Sequence, residues 1–111
     1  MPSEKTIQTA GLKFLRSQTG GVWFKIHDLL TSGIPDVIGC YYGKFIAVEF
    51  KAPGKKPNPL QKYILEQINR FGGIGIYCDD VKELKKQFKQ WGNFNATVPN
   101  TNDASGSDKH I

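Results

Sequence analysis

Residues 33–61 constrain the fold more than any other part of the chain. They read Gly-Ile-Pro-Asp-Val-Ile-Gly-Cys, a Tyr-Tyr-Gly-Lys break, Phe-Ile-Ala-Val-Glu-Phe-Lys, a lysine-rich loop, and Asn-Pro-Leu-Gln. Segments 37–40 and 45–51 are short and rich in Val, Ile and Phe, as strands are. Tyr42-Gly43 between them predicts a tight hairpin, because glycine tolerates the positive φ such turns require. An even-numbered loop centred there pairs Tyr41 with Lys44 and Cys40 with Phe45. Carried on down the ladder, the count sets Asp36 directly opposite Glu49. Opposed side chains have Cβ atoms about 5 Å apart, and like charges there destabilise a sheet. Lys51 lies two residues beyond Glu49 and so points to the same face. Two carboxylates and one amine therefore converge. A hard divalent cation such as Mg²⁺, which takes carboxylates, waters and phosphate oxygens as ligands, accounts for the pairing. Acid-x-Lys by itself is a common pattern of ordinary surface charges. Pro-Asp, strand, turn, strand and Glu-x-Lys in that order is far more demanding.

Segment 3–18 has Ile7, Ala10, Gly11, Phe14 and Leu15 at helical spacing, with Ser3 as N-cap. Glu4 falls in its first turn, where an acid suits the helix dipole. Segment 22–26 predicts a strand that joins the hairpin in a meander. Lys25 and His27 alternate onto the face of Trp23, and Trp23 reads as packing rather than as a stacking platform for bases. Segment 28–32 connects this strand to Gly33 and reads as a loop beside the site. Residues 52–57, Ala-Pro-Gly-Lys-Lys-Pro, exclude regular structure and carry paired lysines suited to a phosphate backbone. Asn58-Pro59 starts a helix, with Asn as N-cap and Pro at the first helical position. Leu60, Ile64, Ile68 and Phe71 form its apolar stripe, and Gly72-Gly73 closes it. Segment 74–78 is a further strand, which makes a parallel crossover. Asp80 then caps a last helix, with Glu83 three residues on completing a capping box. Val81, Leu84, Phe88 and Trp91 are the apolar face of that helix. From Gly92 onward polar residues dominate, and 92–111 reads as a disordered or partner-dependent tail after a single domain over 1–91.

Charge points the same way. The net charge is +5, and 14 of the 15 Lys and Arg but only 8 of the 10 acids lie in residues 1–91. Lys44, Lys51, Lys55, Lys56 and Lys62 surround Glu49, the sole acid between residues 37 and 65. A basic domain of this kind suits a polyanionic partner. Lys25, Lys44, Lys55, Lys56 and Lys62 are the candidate DNA contacts. Cys40 and Cys78 sit in apolar runs and read as buried free thiols of a reducing compartment. There is no apolar run long enough for a membrane span, no zinc-type Cys/His spacing, and no basic-then-apolar leader pattern at the start.

Pro35-Asp36 with Glu49-Phe50-Lys51 resembles the PD-(D/E)xK nuclease signature. The wider run from Gly33 through Gln61 resembles the VRR-NUC branch of that superfamily, in its small stand-alone form of phage or bacterial type. The resemblance spans most of residues 4–90. It implies an α/β fold, a restriction-endonuclease-like αβββαβ core whose mixed four-stranded sheet is flanked by helices. The element order read from the residues agrees with it. It further implies Asp36 and Glu49 as ligands of one or two Mg²⁺ ions, with Mn²⁺ able to substitute. The backbone carbonyl of Phe50 would be a further ligand and Glu4 a second-tier one. Gln61 would orient the attacking water or a phosphate oxygen, completing a catalytic set of Asp36, Glu49, Lys51 and Gln61. Lys51 either helps deprotonate that water or neutralises charge on the phosphate. The first role needs a neutral amine, which neighbouring carboxylates disfavour, so the second is preferred. The implied activity is structure-selective cleavage of DNA resembling that of a Holliday-junction resolvase, by a homodimer in a bacterial cytoplasm or phage-infected host. A nuclease for flaps, ends or single strands remains open from the sequence, as does a module that grips branched DNA without cutting it.

Overall fold

The computed structural model describes residues 1–27 and 31–96. Its elements are α1 (Glu4–Arg16), β1 (Gly21–Lys25), β2 (Val37–Tyr41), β3 (Lys44–Phe50), α2 (Pro59–Arg70), β4 (Ile74–Cys78) and α3 (Val81–Ala96). The chain is thus α/β, with three helices and one mixed sheet in the order β1-β2-β3-β4. β1, β2 and β3 form an antiparallel meander, and β4 joins β3 in parallel. Most of the 28–32 connection and all of the segment 97–111 lie outside the described residues.

Local chemistry sets the element ends. The Ser3 side chain accepts from the Thr6 N–H and caps α1. In the β2–β3 turn both Tyr42 (φ 48°) and Gly43 (φ 85°) adopt positive φ, which matches the right-handed twist of the flanking strands. Asn58 and Gln61 exchange side-chain and backbone hydrogen bonds at the start of α2. Asp80 opens α3, but not by the expected reciprocal box. Its Oδ1 accepts from the Lys82 N–H at 2.8 Å, while the Glu83 carboxylate accepts from the Gln87 side chain. α3 also continues past Trp91, through Gly92 to Ala96, where the sequence pattern predicted a stop. A glycine within a helix weakens it without ending it.

The two faces of the sheet are covered unequally. α1 packs on β1, β3 and α3, and α3 packs on β4, so one face is fully roofed. There Val37, Tyr41, Ile46, Val48 and Phe50 meet Leu15 and Leu84 in one buried cluster. Trp23 stacks between Tyr41 and Trp91 in that core, as its packing reading required. On the other face α2 lies over β4 and β3 alone. Its single buried residue is Leu65, not a member of the predicted stripe, and Leu60, Tyr63 and Phe71 are exposed. The stripe faces the open side because the helix covers only half of the sheet. Cys40 is exposed for the same reason, which corrects its expected burial, whereas Cys78 is buried.

The backbone of α2 touches the sheet at Gly75. A Cβ there would stand 2.7 Å from the Leu65 carbonyl oxygen and 3.1 Å from its Cα. Neither is the end of a flexible side chain, so the helix must move as a unit. Gly75→Val is expected to destabilise the protein by about 2–4 kcal/mol in urea unfolding. A loss under about 0.5 kcal/mol, typical of surface positions, would refute this packing.

Candidate active site

The ladder between β2 and β3 pairs Val37 with Val48, Cys40 with Phe45 and Tyr41 with Lys44. That is the register expected from the sequence, and it sets Asp36 opposite Glu49 just beyond the last pair. Here the ladder frays in a specific way. Asp36 Oδ2 accepts the Phe50 N–H at 2.8 Å, so a side chain takes the place of a strand partner. The Asp36 carbonyl accepts the Ile26 N–H at 2.8 Å, which ties the residue to the end of β1 as well. Asp36 is therefore fixed from both sides, with Oδ1 left over.

Glu49 lies on the α2 face of β3 and is 2 % exposed. It is the one buried carboxylate among the described residues. Its Oε2 stands 3.5 Å from Lys51 Nζ, and its Oε1 has no hydrogen-bond partner among the described residues. Burial pushes the Glu49 carboxyl up to about 7, and the charges of Asp36 and Glu4 add to the rise; Lys51 offsets part of it. The influence of Glu4 brings the start of α1 into the electrostatics of the site. A carboxylate held in a low-dielectric setting with an unpaired oxygen and a like charge facing it is an incomplete arrangement. A divalent cation between Asp36 and Glu49 would supply the missing partner. Among the described residues no three of His, Cys, Asp and Glu form a ready-made cage. Two carboxylates and a carbonyl suit a cation that keeps several waters, as Mg²⁺ does.

The other predicted residues fall into two groups. Lys51 leaves β3 next to Glu49, with its own N–H donated to the Cys78 carbonyl at 3.0 Å. The loop after it is anchored by the Gly54 N–H on Asp79 Oδ2 at 2.8 Å, and Lys55 and Lys56 are exposed on that loop. Exposed Lys62 follows in the first turn of α2. Gln61 has a double task that sequence reasoning missed. Its Oε1 accepts the Asn58 N–H at 2.9 Å, and its Nε2 is the donor it can offer a ligand. The Asn-x-x-Gln spacing is a capping box, the signal that would have revealed this. Lys44 stands apart. It begins β3 while Glu49 nearly ends it, about 16 Å away at strand rise, and its Nζ is bonded to the Gly72 carbonyl at 2.9 Å. Lys25 ends β1 near the site, but strand alternation sets it on the opposite sheet face, beside Lys13 and Arg16. His27 is exposed.

Tyr77 was not singled out from the sequence, yet it is the parallel partner of Glu49 across β3–β4 and is partly exposed. Its phenol shares the Glu49 face by alternation. The crossover inferred from 45–51 and 74–78, once given a register, is the signal that would find it.

No protein-family model and no curated protein matches the chain. Among the described residues no helix is long and apolar enough to cross a membrane.

Proposed function

We propose that this chain is a metal-dependent, structure-selective DNA endonuclease of the VRR-NUC type, with a restriction-endonuclease-like core, acting in the cytoplasm. The observation that carries the reading is Glu49. A buried carboxylate with an unpartnered oxygen, set opposite Asp36 and beside Lys51, is costly in an inert protein and useful in a cation site. Bound Mg²⁺, or Mn²⁺ in its place, supplies the charge that polarises the phosphoryl group and acidifies the attacking water. Asp36 and Glu49 would hold it, with the Phe50 carbonyl as a further ligand and Glu4, at the start of α1, as a second-tier one. Lys51 stabilises charge on the phosphate, because its amine stands 3.5 Å from Glu49 Oε2, at the centre of the proposed site. Gln61 donates from Nε2 to a phosphate oxygen, since its Oε1 is occupied by the helix cap. Lys55, Lys56 and Lys62 grip the backbone without reading sequence, and that grip weakens with salt. Lys25 extends the basic surface on the other side, and Lys44 contributes only at a distance from the reacting bond. Symmetric incision of a two-fold junction needs two sites, so the active form is taken as a homodimer.

The test is cleavage of matched four-way junction, flap, single-stranded and linear duplex DNAs, in Mg²⁺ or EDTA. Paired symmetric nicks on the junction, lost in EDTA, are the expected result. Cutting of the other forms instead would keep the nuclease and discard junction selectivity. Tight binding with no cutting of any substrate, in Mg²⁺ or in Mn²⁺, would replace the enzyme by a binding module.

A further inference from the structure

We infer that the groove between β3 and α2 seats unpaired nucleobases of the DNA strand that runs through the candidate site. Phe45 of β3 and Tyr63, Ile64, Gln67, Ile68 and Phe71 along α2 line a groove of about 480 Å³. Small-molecule sites usually measure about 300–1,000 Å³, so the groove has room for flat rings. Its own three rings are open: Phe45 is 45 %, Tyr63 56 % and Phe71 77 % exposed. The Arg70 guanidinium stands 5.5 Å from the Phe71 centroid, so a cation already engages the outermost ring. Contiguous exposed apolar surface with a polar rim marks a binding site.

Charge and position select the occupant. Each open ring follows a cation in the chain: Lys44 precedes Phe45, Lys62 precedes Tyr63 and Arg70 precedes Phe71. Glu66 is the one acid of α2 and lies one turn from both Lys62 and Arg70, which leaves the rim net positive. Such interleaving suits a single strand, whose phosphates take the cations and whose bases stack on the rings. The groove also continues into the candidate site. Phe45 and Glu49 lie on one face of β3, about 13 Å apart at strand rise, or roughly four stacked nucleotides at 3.4 Å each. α2 spans the same gap, from Lys62 in its first turn to Phe71 at its C-cap, where Lys44 Nζ donates to the Gly72 carbonyl at 2.9 Å. Asp36 and Glu49 make the site end of this face anionic, so without a cation DNA is held by the groove and its lysines. The substrate class that follows is DNA with unpaired nucleotides about four positions from the reacting phosphate, as in a flap, a single strand or an opened branch. The reacting phosphate rests on the nuclease reading; the stacking of bases in the groove needs no cleavage.

The probes are a labelled oligothymidine, the same strand built with abasic residues, and a duplex of equal length. Each is bound to the full chain in EDTA and followed by fluorescence anisotropy. Wild type is expected to hold oligothymidine at least about fivefold more tightly than the abasic strand, which keeps the phosphates and lacks the bases. Tyr63→Ala with Phe71→Ala, both at exposed positions, should weaken oligothymidine binding about tenfold or more and erase the preference over the abasic strand. Duplex binding should stay within about twofold, and the salt dependence should not change, because the rings neutralise no phosphate. Tyr63→Phe with Phe71→Trp keeps the rings and should bind like wild type. Equal affinity of wild type for the two single strands would overturn the inference. So would wild-type binding of oligothymidine by the alanine pair, since the rings would then serve a protein surface, or an equal loss on duplex and single strand. Cleavage in Mg²⁺ without base-dependent binding would keep the nuclease and discard the groove. Base-dependent binding with no cleavage of any DNA would do the reverse.

Discussion

Glu49→Gln is expected to abolish DNA cleavage while making the metal-free protein more stable at pH 8. The two effects have one cause. Burial and the charges of Asp36 and Glu4 raise the Glu49 carboxyl from 4.5 to about 7. The folded state therefore binds this proton more tightly than the unfolded state does. The resulting stability is complete below the unfolded value and is lost as pH rises through the folded one, between about 4.5 and 7. A rise of that size corresponds to roughly 3 kcal/mol at most. Glutamine carries no charge at any pH and so escapes the loss. Thermal melts in EDTA should give a variant more stable by about 1–3 kcal/mol at pH 8 and close to wild type at pH 4.

Added Mg²⁺ should reverse the order. A cation that binds only the folded wild type stabilises it by mass action, and the variant lacks the anionic ligand that holds it. Cleavage should fall about 10³-fold or more, equivalent to about 4 kcal/mol of lost transition-state stabilisation. A variant less stable than wild type at pH 8 in EDTA would show that Glu49 is satisfied within the protein. Equal stabilisation of both proteins by Mg²⁺ would remove Glu49 from the metal site.

The parts of this molecule legible in its sequence are those fixed by local chemistry. Tyr42-Gly43 set the hairpin register, and register alone faced Asp36 with Glu49. Asn58-Pro59 and Gly72 marked the ends of α2 because caps and positive φ are properties of single residues. Features that depend on which layer covers which were not legible. Nothing in the Leu60, Ile64, Ile68 and Phe71 spacing says that α2 spans only β3 and β4, so the stripe read as core and Cys40 as buried. The depth of Glu49 is of the same kind. Its neighbours in sequence place it on a strand, but its 2 % exposure is set by the tertiary packing around it. Between these extremes lies Gln61, whose capping role was written in the spacing to Asn58. What the sequence carried, then, was the pairing of charges; the burial that makes the pairing chemically consequential came from tertiary structure.

Asp36 should separate those two contributions, because its carboxylate serves both. One oxygen accepts the Phe50 N–H at 2.8 Å and closes the end of the β2–β3 ladder. The charge as a whole faces Glu49 and helps hold the Glu49 proton in place. Asp36→Asn keeps an acceptor for Phe50 and removes the charge. Asp36→Ala removes both and leaves a part-buried backbone donor unpaired, at a cost of about 1–3 kcal/mol. Both variants should lose cleavage by about 10³-fold, for neither offers an anionic ligand. Urea unfolding in EDTA should divide them. Asn is expected to match or exceed wild type above pH 7, where the repulsion with ionised Glu49 is relieved. Ala gains the same relief but loses the ladder bond, so it should fall below Asn by about 1–3 kcal/mol at every pH. That constant gap is diagnostic, since a hydrogen bond to a backbone N–H has no titration of its own in this range, whereas charge relief grows only as Glu49 ionises. Equal stability of the two variants would mean that the Asp36–Phe50 bond carries no weight in the fold. Retained Mg²⁺-dependent cleavage in Asp36→Asn would mean that the ion is held without Asp36, and Glu49 with Glu4 would then be the pair to test.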